Sequence, residues 1–107
     1  MSYSADTALT ARVKTFALKE LNADLVGVAN IERFKGAPVM MSPQGILPSA
    51  RSVVVMAIHH PDAAIELGGE EHPQKIGPYC IQYAMNMRLD EMSYRMGRFI
   101  ESLGFTA

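Results

Sequence analysis

Apolar residues fall along this chain either at helical spacing or in short continuous runs, and the change from one to the other marks its elements. Leu9, Val13, Phe16 and Leu21 fall close to helical spacing while Arg12, Lys14 and Lys19 lie largely elsewhere, which predicts an amphipathic helix from about Asp6 to Asn22. Asp6 or Thr7 suits its N-cap and Asn22 its stop. Leu25-Val26-Gly27-Val28-Ala29, bounded by Asp24 and Asn30, predicts a short buried strand, with Gly27 marking close approach by a neighbour. The clearest strand is Ser52 to Ile58: Val53 to Ile58 is continuously apolar rather than alternating, the pattern of a strand covered on both faces.

Between these strands, prolines and glycines from Phe34 to Ser49 predict an irregular connection with a helical fragment around Ile31 to Phe34. Pro61 to Pro78 predicts an exposed loop with a helical turn near Asp62 to Leu67. A long amphipathic helix then runs from about Tyr79 to Leu103. Its apolar stripe is Met85, Leu89, Met92, Met96, Phe99 and Leu103, and Glu91 and Arg95 pair on the solvated side. Gly104 closes it, and Phe105-Thr106-Ala107 predicts the start of another strand. This order predicts an α/β or α+β fold in which helices pack on a small, incomplete mixed sheet, within one truncated domain spanning 1–107. Two strands do not make a stable sheet alone, so a missing C-terminal part or a second copy of the chain is expected to complete it.

Composition narrows the function classes. Ten basic and eleven acidic residues leave a net charge of -1 without a basic cluster, which argues against a nucleic-acid surface. No apolar run approaches the roughly 20 residues of a membrane span, and Met1 to Thr10 lacks the basic start and apolar run of a signal peptide. The single cysteine, Cys80, has no disulfide partner within the chain, which agrees with a cytoplasmic protein. Of eight methionines, Met85, Met87, Met92 and Met96 lie in the last helix and are expected chiefly to fill the core.

The residues able to carry chemistry are few. His59 and His60 end the clearest strand on the side where open α/β sheets commonly hold ligands. Adjacent strand side chains diverge, however, and His72 lies across a loop, so no metal site is expected. Tyr79, Tyr83, Asn86 and Asp90 follow one side of the last helix and could present a phenol, an amide and a carboxylate to a ligand; ordinary solvation of a helix face is the simpler reading. Cys80 reads as a buried structural thiol, because nothing supplies it with a base. Glycine-rich dinucleotide and phosphate loops and a hydrolase nucleophile elbow are missing.

Two stretches carry a resemblance. Gly45-Ile46-Leu47-Pro48-Ser49-Ala50-Arg51-Ser52-Val53-Val54-Val55 resembles a segment in the N-terminal part of epoxyqueuosine reductases and related corrinoid iron–sulfur reductases, a group that includes reductive dehalogenases. Tyr83 to Ala107, especially Asn86, Leu89-Asp90 and Phe99 to Ala107, resembles the helix and following strand of the iron–sulfur members, and Ala23 to Ala29 fits the family's usual start. The resemblance implies part of a larger nitroreductase-like, corrinoid-binding scaffold. Its full-length members bind cobalamin and two [4Fe–4S] clusters and pass electrons to the corrinoid. It further implies a missing C-terminal ferredoxin-like part and inactivity of this chain alone; position, on the polar helix line and at the strand end, makes Tyr79, Tyr83, Asn86 and His59 the residues expected nearest the cofactor. The cysteine runs that hold the clusters are not in this sequence, and Arg88-Leu89-Asp90 stands where epoxyqueuosine reductases tend to carry aspartate, tyrosine and histidine. These departures favour another iron–sulfur branch over the tRNA-modifying enzymes. The alternative expectation is a stand-alone, non-catalytic ligand-binding or self-associating module.

Overall fold

The computed structural model describes residues 6–68 and 76–107. The first helix, α1 (Thr7–Thr15), begins at Asp6, whose Oδ1 accepts a hydrogen bond from the Leu9 N–H at 3.0 Å. This satisfies one of the backbone donors that every helix start leaves open. A π-helical turn, Phe16–Glu20, continues it, with the Leu21 N–H donating to the Phe16 carbonyl at 3.1 Å. Residues four apart drift by about 40° around an α-helix. The wider turn takes back that drift and keeps Val13, Ala17 and Leu21 facing the same side, all buried. Asn22 stops the helix with φ 57°, a left-handed conformation that asparagine tolerates better than most residues.

Strands β1 (Leu25–Asn30) and β2 (Ser52–Ala57) form one antiparallel ladder, pairing Leu25 with Ala57, Gly27 with Val55 and Ala29 with Val53. The sheet is thus antiparallel rather than mixed. One face carries Val26, Val28, Val54 and Met56, which pack with Ile58 against the helices. The other carries Leu25, Gly27, Ala29, Val53, Val55 and Ala57, because side chains alternate across a strand. The apolar run predicted cover on both faces; the structure covers one, leaving Leu25 71% and Val55 55% exposed.

The connection from 31 to 51 is irregular but internally bonded. Asn30 Oδ1 accepts from the Glu32 N–H at 2.9 Å and caps a 3-10 turn, Ile31–Phe34, that buries Ile31. A second turn, Val39–Met41, leads into the four-residue α2 (Pro43–Ile46). The Ser42 hydroxyl accepts from the Gly45 N–H (3.3 Å) and donates to the Val39 carbonyl (3.1 Å). Here Gly45 is required by close approach, since any Cβ would run into the Val39 carbonyl.

Helix α3 (Asp62–Gly68) extends the predicted turn, and α4 (Ile76–Ser102) starts three residues before the predicted Tyr79. Pro78 is tolerated there because the first helical turn has no carbonyl to receive its missing N–H. At the far end Gly104 adopts φ 95°; its N–H donates to the Glu101 carbonyl (2.9 Å) and the Phe105 N–H to the Ile100 carbonyl (3.4 Å). This pair of bonds is a Schellman closure. Residues 105–107 form no strand, contrary to the pattern: the closure turns the chain away and neither strand pairs with them. Among the described residues of α4, Arg98 and Glu101 form an ion pair (3.8 Å), and Glu91 and Arg95 do not.

The protein is therefore a small α+β fold with helices on one side of a two-stranded sheet. Met92 and Met96 from α4 meet Val13, Ala17, Leu21 and Ala23 in the core, and Phe16 stacks on Phe99 at a centroid distance of 4.0 Å. The N-terminal half of α4 reaches past this core and packs with α3, so Ile81, Tyr83 and Met87 remain exposed. The radius of gyration, 16.8 Å, exceeds the about 13 Å of a compact chain of this length. Truncating Met96 to alanine should cost about 2–5 kcal/mol in urea unfolding. Met87→Ala, on the same helix but 58% exposed, should change stability by less than about 0.5 kcal/mol.

Candidate functional site

The end of β2 is held by a clasp of two carboxylates. The Asp24 N–H donates to the Ala57 carbonyl at 2.9 Å, and the Asp24 Oδ2 accepts from the His59 N–H, so the chain entering β1 and the chain leaving β2 bind each other. The His59 Nε2 lies 3.0 Å from the Oδ1 of Asp62, which sits in the first turn of α3, where a carboxylate is favoured by the helix dipole. Both side chains of this second pair are largely exposed, 64% and 81%. His60 turns away: its Nδ1 lies 3.3 Å from the Pro61 carbonyl, an oxygen that can only accept. The two imidazoles diverge, as adjacent side chains at a strand end should.

A carboxylate-bound imidazole can hold or move a proton, but it needs a reacting group within reach. Among the described residues no nucleophilic side chain bonds His59, and no three His, Cys, Asp or Glu residues are grouped to hold a metal ion. Tyr83 is 70% exposed, Asn86 and Asp90 are exposed, and none of them is hydrogen-bonded to a described side chain or to His59. The helix backbone includes Tyr79, but its side chain, like all of His72, lies outside the described residues. Among the described residues no hydrogen bond links His59 to Tyr83 or Asn86. Cys80 is exposed rather than buried, because it rides on the half of α4 that stands clear of the core.

One feature escaped the sequence pattern. An open groove of about 380 Å³ runs beside the stacked Phe16 and Phe99, flanked by Arg12, Thr15, Lys19 and Glu20. Its volume falls within the range of small-molecule pockets, but it lacks their enclosure. The available signal was the pair of phenylalanines in two separate apolar stripes; nothing in one stripe reveals that the other will stack on it. Helix α4 and its neighbours are also too polar to cross a membrane: among the described residues no helix is long and apolar enough. No protein family, curated protein or solved structure matches this chain.

The clasp yields a direct contrast. Asp24→Ala should lower unfolding stability by about 1 kcal/mol, since it removes a charged acceptor from a strand-end amide. Asp62→Ala should change it by less than about 0.5 kcal/mol, the usual worth of an exposed pair. Guanidinium titrations of the two variants provide the check.

Proposed function

We propose that this chain is the N-terminal scaffold part of a cytoplasmic reductase resembling the corrinoid iron–sulfur group, inactive alone and belonging to a larger nitroreductase-like framework. The single observation that carries this reading is the one-sided sheet: an α+β platform with an uncovered apolar face. The resemblance of residues 45–55 and 83–107 to that group supports it from the sequence.

The donor set limits what the chain can hold. An iron–sulfur cluster requires four thiolates or their equivalents, and one exposed cysteine does not fit, so the electron relay belongs elsewhere. For a corrinoid, His59, Tyr79, Tyr83 and Asn86 would be the contacting residues, with donors and acceptors able to meet its amide side chains. No reaction step is assigned to these residues.

Titration with hydroxocobalamin, followed by its visible spectrum, tests the reading. Binding should be measurable in the wild-type chain and at least about tenfold weaker when His59, Tyr79, Tyr83 and Asn86 are together replaced by alanine, the loss expected for two or more hydrogen bonds. An unperturbed spectrum, or equal affinity in both proteins, would contradict it.

A second reading, a non-catalytic module that associates with itself, is favoured by the chemistry of the same open face. Leu25, Gly27, Ala29, Val53, Val55 and Ala57 include no polar side chain.

A further inference from the structure

The open face has a shape as well as a polarity. Each of its three register pairs joins one large and one small residue: Leu25 with Ala57, Gly27 with Val55, Ala29 with Val53. Val53 and Val55 make a ridge along β2, while Gly27 and Ala29 leave a furrow along β1. At the end of the ladder the order reverses, Leu25 standing on β1 and Ala57 on β2. A Cβ added at Gly27 would meet nothing within 4 Å, so the furrow is empty within one copy.

We infer that this face docks a second copy of the same chain, sheet against sheet, about a two-fold axis running along the strands. Such an axis sets β1 of one copy across from β2 of the other at the same level. Val55 then faces the partner's Gly27, Val53 the partner's Ala29 and Leu25 the partner's Ala57, so every large residue meets a small one. Two-fold interfaces must be self-complementary in this way. Sheets packed face to face keep their strands within about 30° of parallel, which the arrangement allows.

Exposure agrees with shape: Leu25 and Val55, two large residues of the face that the partner would cover, are 71% and 55% exposed.

The inference rests on the self-associating reading and involves no cofactor, so the hydroxocobalamin titration can fail without affecting it. Sedimentation equilibrium of the 107-residue chain at tens of micromolar should give twice 11.7 kDa. Val55→Lys should abolish association. Gly27→Leu is the sharper variant: it adds apolar surface in open space within one copy but fills the furrow the partner's Val55 needs, and should weaken the dimer about tenfold or more. Circular dichroism confirms that both variants keep their helices. A single 11.7 kDa species at every concentration would overturn the inference, showing that another segment or protein covers the face. Association of Gly27→Leu as tight as wild type would overturn it too, by showing that the chain associates through a different surface.

Discussion

Everything in this structure depends on the packing of one stretch of α4 against one side of α1. Met92 and Met96 enter between Val13, Ala17 and Leu21, and the inner face of the sheet closes over them through Val26, Val28, Val54 and Met56. Without that contact the two strands have no support, since a lone two-stranded ladder is marginal in water. Among the described residues only seven apolar side chains are buried. A core this small leaves little margin against the conformational entropy of ordering the chain. Completion of the second sheet face is the most economical source of further burial.

The helical core was largely legible in the sequence because its residues repeat at helical spacing. Asp6, Asn22 and Gly104 were legible for a related reason: a cap, a left-handed stop and a C-terminal glycine act through one residue's own conformational preferences. Sheet cover was not legible. Val53 to Ile58 is apolar at every position, and such a run records what each face needs, not what happens to lie on it. The π-helical turn also escaped, since it follows from which residues α4 and the sheet require on the inner side, a tertiary demand. The absence of a strand over 105–107 has a similar cause: strand formation depends on a neighbouring ladder, and neither described strand pairs with these residues.

The candidate site was legible by position and illegible by partnership. Strand order located His59 at the end of β2, but Asp24 and Asp62, which bind its amide and its ring, lie 35 and three residues away and carry no motif that announces them. The polar side of α4 was read correctly as a helix face, yet helical spacing could not foretell that this half of the helix extends past the core. That projection leaves Tyr83 and Asn86 exposed, their side chains with no hydrogen-bond partner among the described residues. A scaffold reading and a self-associating reading thus share one physical premise: surfaces of this chain are shaped for something that one copy does not provide.

Hydrogen–deuterium exchange read at several protein concentrations tests that premise most directly. If the open sheet face is completed by association, amides of Leu25–Asn30 and Ser52–Ala57 should exchange more slowly as concentration rises, while the Asp6 to Asn22 helix changes little. Strand protection that is independent of concentration would contradict self-association, because it would mean that a second copy adds nothing to the stability the one-sided core gives the sheet.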